Sequence, residues 1–300
     1  GDVIHPTDSH YHHGKKLFGI GRSKRDLLMS KRLLIDLLKW LAILAVMIVL
    51  LFPLFWIIAS SLKARGEFFT RPPVWVPANP EWMNYPDSLR RGGMKGLIDS
   101  FTIAFSSMAV SVLLGAPAAY AIARFQVGKK NLAFWILSIR MFPPIATILP
   151  LFVIFRYVGL VDSYAGLVLC YTVFNLPFAI WILKGFIEEL PREIEEAAKV
   201  DGATRFQIFS NIALPLTAPG LVVVALFTFI FAWNDFAYAV IFSGSNVTPL
   251  PVVIAQFAGG HEILWGQISA IAIMAILPAL ILATFLQKYL TRGLTMGAVK

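Results

Sequence analysis

The chain has 300 residues, of which 58% are hydrophobic and 14% charged, with a net charge of +9. Soluble domains hold roughly 45–50% apolar and about 25% charged residues, so this balance excludes an ordinary water-soluble module and indicates a membrane protein. The basic excess is also a property of nucleic-acid binders, but basic residues beside apolar spans orient membrane proteins as well, and their positions decide between the two.

Gly1 to His13 carries four of the five histidines and no apolar periodicity. It reads as a disordered tail or an expression remnant, and although His10, His12 and His13 are metal-competent residue types, no metal site is assigned. The first apolar run, Leu41–Leu62, is longer than the roughly 7–15-residue apolar core of a cleavable signal, so it is expected to be a retained anchor. Uncharged runs follow at Ser100–Ala123, Ser163–Leu183, Phe206–Asn234 and Ile263–Gln287. Each is near the roughly 20 residues that a spanning helix needs. A further span is expected at about 131–158, where Arg140 interrupts the apolar pattern. The single cysteine, Cys170, lies inside the fourth span, which rules out an intrachain disulfide and reads as a small buried apolar residue.

The expected fold class is an all-α membrane protein with six transmembrane helices. A cytoplasmic N-terminus puts Lys15, Lys16, Arg22, Lys24, Arg25, Lys31, Arg32 and Lys39 inside. Arg124, Lys129, Lys130, Lys184, Arg192, Lys199, Arg205, Lys288, Arg292 and Lys300 join them. The outside segments hold fewer: Lys63, Arg65, Arg71, Arg90, Arg91, Lys95 and Arg156, with none in the third outside loop, Ser243–Glu262. The bias favours both termini inside. The first outside loop, about 64–96, combines five prolines with Trp75, Trp82 and Tyr85 and is expected to form a compact cap at the membrane surface.

The stretch between the fourth and fifth spans, 190–215, is the most polar part of the core sequence. Pro191 suits a helix start, and Glu193, Glu195 and Glu196 lie near the positive end of the helix dipole. Ile194, Ala197 and Ala198 make a small apolar stripe, and Asp201-Gly202 ends the helix. Thr204 is the expected N-cap of a second short helix carrying Phe206, Phe209 and Ile212 on one face. The spacing predicts a helix lying across the membrane surface that fits a groove on another protein. A DNA-reading helix-turn-helix shares the outline, but apolar spans on both sides and acids in its first helix exclude it, so no nucleic-acid partner is expected.

Here a family resemblance becomes specific. ABC importer permeases carry Glu-Ala-Ala, three residues, Gly, nine residues, Ile, one residue and Leu-Pro. This chain has Glu196-Ala197-Ala198, Gly202, Ile212 and Leu214-Pro215 at that spacing. The resemblance implies a coupling helix that docks in a cleft of an ATP-binding subunit. Glu195, Glu196, Ala197, Ala198, Asp201, Gly202, Ala203, Arg205 and Phe206 would form the docking surface. The C-terminus resembles the carbohydrate branch, related to the smaller membrane subunit of the maltose importer. In that branch a Gly-Leu-Thr-x-Gly-x-Val-Lys tail reaches between the ATPase subunits. The matching residues here are Gly293, Leu294, Thr295, Gly297 and Lys300.

Within the spans, Trp233-Asn234-Asp235-Phe236 resembles an element of the same branch. A carboxylate at depth faces water or a partner, so Asp235 lies toward a pathway or, with Asn234, serves helix packing. Arg140 with Pro143-Pro144, and Asn175 before Pro177, carry the same two readings. The expected organisation is a cytoplasmic tail and amphipathic lead-in over 1–36, a six-helix permease domain over 37–290 and a C-terminal tail over 291–300.

The resemblance thus implies a permease subunit of a binding-protein-dependent importer in a bacterial inner membrane, moving a sugar or polyol by ATP-driven alternating access. Its partners would be a second permease, two ATP-binding subunits, an extracytoplasmic solute-binding protein and the bilayer. The chain has no Gly-x4-Gly-Lys-Ser/Thr loop, so ATP and Mg would sit on the partners, with no cofactor on this chain. Another polar solute and an ion-coupled secondary transporter are the alternatives; the spans show no catalytic constellation for a membrane enzyme.

Overall fold

In the computed structural model, residues 24–128, 131–260 and 262–296 are described. No strand occurs among them. The chain divides into two units, 1–54 and 55–300. The first contains most of helix α1 (Lys24–Ser61), whose side chains from Leu33 to Leu54 are all exposed. This helix begins 17 residues before the apolar run because helical backbone continues through Lys31, Arg32 and Lys39, which an apolar count does not register.

In the second unit the chain continues through α2 (Asn84–Ser88) and α3 (Met94–Phe125). Helices α4 (Leu132–Ser138), α5 (Pro144–Tyr157) and α6 (Tyr164–Glu188) come next. A polar pair, α7 (Arg192–Val200) and α8 (Arg205–Ile208), then leads through α9 (Leu214–Leu216) into α10 (Ala218–Asn234). Three helices complete the unit: α11 (Ala237–Phe242), α12 (Leu250–Ala258) and α13 (Trp265–Met296).

Four stretches are long and apolar enough to cross a bilayer unbroken: Leu33–Ser61, Asn84–Phe125, Tyr164–Glu188 and Trp265–Phe285. Two more are bent pairs, Leu132–Met141 with Pro144–Tyr157 at 91° and Arg205–Leu216 with Ala218–Asn234 at 74°, which makes six spans if each pair counts as one. The breaks have local causes. A residue before proline is pushed out of the helical region, and Phe142 and Pro143 are both extended, with ψ of 129° and 136°. At the second bend Pro219 lacks an N–H, and Thr217 Oγ1 donates to the carbonyls of Ala213 and Leu214 at 2.8 and 3.1 Å. The expected fifth span, 206–234, is therefore shortened: its first dozen residues belong to the polar hairpin side of the bend.

The centre of the unit is α3 packed along α6, with α10 against both. Their contact is lined by small residues, Ala116, Ala119, Ala123 and Ala179, which let backbones approach without a large side chain between them. A methyl group on Gly115 would lie 3.0 Å from Ala179 Cβ, so this position has no room for growth. A second core, built on Ile103, Leu167, Phe229, Trp233, Phe242 and Ile271, fills the other end.

The loop at 64–96 is a folded cap, as its composition predicts. Asn84 Nδ2 donates to the carbonyls of Ser61 and Lys63 at 2.9 and 3.0 Å, and Trp75 meets Trp56 edge-on. The stretch at 243–262, read as a loop, contains α12, whose Leu250, Val252, Val253 and Phe257 are buried. A nine-residue apolar helix is too short to stand out against a loop of this length in the sequence.

The turn before α12 is fastened by two aspartates. Asp162 accepts from the amides of Asn246 and Val247 at 3.1 and 2.9 Å, while Asp99 accepts from Thr248 N, Tyr164 Oη and Lys95 Nζ. Burial raises the Asp162 pKa, but the amides of Val247, Asn246 and Gly244 and the nearby Lys95 outweigh it and hold the carboxyl below its ordinary 3.8. A depressed carboxyl contributes its stability above the unfolded value and loses it as pH falls through the folded one. The protection of the Asn246 and Val247 amides, measured as exchange relative to the intrinsic rate at each pH, is therefore expected to stay high from neutral pH to about pH 4 and to fall only below it; a fall already between about pH 7 and 5 would contradict this. Asp162→Ala should remove the protection of both amides already at neutral pH.

Candidate functional site

The polar hairpin is held by its own local chemistry. Helix α7 starts after Pro191, with Glu193 and Glu195 in its first turn. Its end is a left-handed stop: Gly202 has φ of +86°, its N–H donates to Lys199 O at 3.1 Å, and Ala203 N donates to Ala198 O at 3.0 Å. This pair of bonds satisfies the last carbonyls of the helix and turns the chain back. Thr204 then caps α8. Its Oγ1 accepts from Gln207 N at 3.3 Å, and Gln207 Oε1 accepts from Thr204 N at 2.8 Å.

Long-range contacts fix where the hairpin sits. Arg124, in the last turn of α3, donates through Nε to Glu195 Oε1 at 2.7 Å and through Nη2 to Leu190 O at 3.0 Å. Tyr120 Oη donates to Glu195 Oε2 at 2.8 Å, one turn earlier on α3. The Arg124 and Glu195 side chains are only 6% and 13% exposed, so this is a largely desolvated ion pair. Arg205 stacks its guanidinium 5.1 Å from the Phe125 ring centroid. Glu195, expected on the docking surface, thus faces α3 instead, because Arg124 Nε and Tyr120 Oη offer it two donors there. Arg124 and Tyr120 were missed in the sequence; they lie in the second span, where nothing local relates them to residue 195.

The outward surface is formed by the others. Glu196, Ala197, Asp201, Gly202, Arg205 and Phe206 are exposed and Ala198 and Ala203 half-buried. Val200 is 88% exposed and Phe206 74%, two bare apolar side chains flanking the Gly202 turn. Val200 was not singled out in sequence. Of the tail residues, Gly293, Leu294 and Thr295 lie in the last turns of α13. Gly297 and Lys300 lie outside the described residues, as do His10, His12 and His13.

A second site lies between the break at Phe142–Pro143 and the gap that separates α10 from α11. A cavity of about 270 Å³ is lined by Arg140 and Phe142 from the first break and Tyr171 and Asn175 from α6, with Phe231, Asp235 and Tyr238 around the end of α10. Arg140 Nη1 donates to Phe174 O at 3.3 Å, and its guanidinium lies 4.1 Å from the Phe231 ring centroid. Asp235 Oδ1 accepts from Tyr171 Oη at 3.1 Å and from the amides of Tyr238 and Ala239 at 3.0 and 3.4 Å, which starts α11. Asn175 Nδ2 donates to Ser107 Oγ at 3.3 Å and Thr228 O at 3.1 Å, which ties α6 to α3 and α10 beside the cavity that it lines. Asn234 stands apart: it is exposed, bonds back to Ile230 O at 3.0 Å and lines a different hollow with Trp233 and Leu250. No cluster of three or more His, Cys, Asp or Glu side chains that could hold a metal occurs among the described residues.

Multiple apolar spans, a polar helical hairpin with bare apolar side chains, and a charged cavity between broken helices define a multi-pass membrane transport subunit. The chain belongs to the family described as binding-protein-dependent transport system inner membrane component, whose profile matches residues 111–296. It is 40% identical over 256 residues to the trehalose transport system permease protein SugB of Mycobacterium tuberculosis, covering 83% of this chain and 92% of that one. It is 35% identical to the sulfoquinovosyl glycerol transport system permease protein SmoH of Agrobacterium fabrum, covering 83% and 89%. The trehalose/maltose transport system permease protein MalG of Thermococcus litoralis is also 35% identical, with 84% and 92% covered. Among solved structures, a bacterial ABC transporter involved in import of the acidic polysaccharide alginate shares the fold with a TM-score of 0.69 at 22% identity, covering 89% of this chain and 98% of that one.

Proposed function

We propose that this chain is the permease subunit through which an ATP-driven importer moves a sugar or polyol into the cytoplasm, and that the α7–α8 hairpin is its coupling element. The observation that carries this is the hairpin itself. Its inner side is pinned to α3 by Arg124 and Tyr120, and its outer side presents Glu196, Ala197, Val200, Gly202 and Phe206, which none of the described residues covers. A surface of this kind suits a cleft in a separate ATP-binding subunit, to which ATP and Mg belong. The names of the relatives, which specify trehalose, maltose and sulfoquinovosyl glycerol, support the solute class.

In this reading the hairpin and both termini face the cytoplasm of a bacterial cell, consistent with the basic residues beside those segments. Closure of two ATPase subunits on ATP pushes α7. The Glu195–Arg124 pair passes the push to α3, and α3 carries α6 and α10 with it because they share one packed core. The cavity lined by Arg140 and Asp235 then alternates its access, while a second permease completes the path and an extracytoplasmic binding protein delivers the solute. The tail at the end of α13 is a further contact with the ATPases.

The test is uptake by proteoliposomes holding the assembled complex. Uptake of a neutral sugar is expected to require ATP inside with the ATPase subunits and to stop when they are stripped away. Uptake that survives their removal and follows an ion gradient would identify a secondary transporter instead.

A further inference from the structure

We infer that the cavity between the two broken spans is a solute site on this subunit that takes one ring of a neutral polyhydroxylated compound and discriminates against anionic ones. The inference rests on the permease reading above. Irregular backbone inside a membrane is tolerated where it lines a cavity, and here two interruptions do so: the break at Phe142–Pro143, with Arg140 and Phe142, and the gap between α10 and α11, with Asp235 and Tyr238.

The side chains present a matched set. Arg140 makes no ion pair among the described residues and uses one N–H of its five on Phe174 O, so most of its fork is available to hydroxyl oxygens. Asp235 binds Tyr171, Tyr238 and Ala239 through Oδ1, while Oδ2 accepts no hydrogen bond among the described residues and remains an acceptor for hydroxyl protons. Phe231 and Tyr238 supply apolar walls for the C–H faces of a sugar ring. The volume of about 270 Å³ is near the lower limit of roughly 300 Å³ for small-molecule sites, enough for one ring rather than an oligosaccharide.

Charge sets the preference. One guanidinium and one carboxylate on the same cavity sum to zero, so a carboxylate or sulfonate drawn to Arg140 is repelled by Asp235. A hydroxylated ring uses both. Removing the carboxylate should therefore admit anions, and removing the guanidinium should weaken every sugar.

The experiment uses the whole complex in nanodiscs without its binding protein, with saturation-transfer NMR of trehalose, maltose and sorbitol and with sulfoquinovosyl glycerol as an anionic competitor. In the unaltered complex at least one neutral probe should give transfer that the anionic compound displaces poorly. Asp235→Asn, which keeps an oxygen for the start of α11, should let the anionic competitor act at about tenfold lower concentration. Arg140→Met should weaken neutral binding about tenfold or more. A general folding defect would lower all signals together and leave the ratio of anionic to neutral affinity unchanged. The inference is overturned if no neutral probe binds the unaltered complex, or if neither substitution changes that ratio or the affinity. ATP-dependent uptake measured on the same preparations separates the two claims. Uptake present with binding indifferent to both substitutions overturns the cavity alone, whereas no uptake by the unaltered complex overturns the permease reading.

Discussion

Arg124→Ala is expected to abolish transport while leaving the spans folded. The substitution removes the cation from a pair whose carboxylate is 13% exposed, and it also deletes the donor to Leu190 O. Breaking a largely buried pair from one side costs about 3–5 kcal/mol, because the remaining charge is left without compensation. That cost falls locally. Glu195 keeps the Tyr120 hydroxyl, but that is a neutral donor. The population of the correctly seated hairpin should fall by two to three orders of magnitude, at about 1.4 kcal/mol per factor of ten. Amide exchange over Arg192–Val200 should become fast while that of α3 and α6 is unchanged, and ATP-dependent uptake should fall by at least about a hundredfold. Replacing both partners, Arg124→Met with Glu195→Leu, should be milder than either single change, since no charge is stranded. A single variant with normal uptake and slow exchange would show that the pair does not position the hairpin.

Gly202→Pro is expected to be nearly as damaging by a different route. Proline fixes φ near −65°, and the turn requires +86°. It also lacks the N–H that Gly202 gives to Lys199 O. A cost of about 3 kcal/mol or more follows for the native turn, and the chain after α7 then leaves in another direction, separating Val200 from Phe206. The subunit should insert and assemble its spans, yet fail to hold the ATPase subunits in a pull-down. Gly202→Ala provides the scale: an added methyl meets nothing within 4 Å, so only backbone strain of about 1–2 kcal/mol remains. Association should weaken in the order glycine, alanine, proline. Retained association and uptake in the proline variant would refute the role given to this turn.

The hairpin was legible in the sequence because its determinants are local. Its proline-led start, its glycine stop and the Thr204 cap each depend on residues a few positions apart, and the structure reproduces them and adds Gln207 as the partner of the cap. The spans were legible for the same reason, since apolar runs report length directly. What escaped was relational. Glu195 meets Arg124 across 71 positions, and no periodicity in either segment announces the pairing. The cavity had the same difficulty: Arg140, Asn175 and Asp235 could each be seen as polar residues in apolar surroundings, but only the bend at Phe142–Pro143 and the gap between α10 and α11 decide that they share a wall and that Asn234 does not. Proline pairs marked where one span breaks without indicating the 91° turn. Helix α12 was hidden by its brevity, and the reach of α1 by the charges on its first turns.

The account stands on the exposed side of the α7–α8 hairpin meeting an ATP-binding subunit. Cross-linking tests this directly, because the one native cysteine, Cys170, is buried and can be replaced by serine. In that background Val200→Cys and Phe206→Cys, placed one at a time in the assembled complex, are expected to form cross-links to the ATPase subunit that change with ATP. Met83→Cys, exposed in the cap at the start of α2, serves as the control and should form none. Cross-links from Met83→Cys with none from the two hairpin positions would contradict the account.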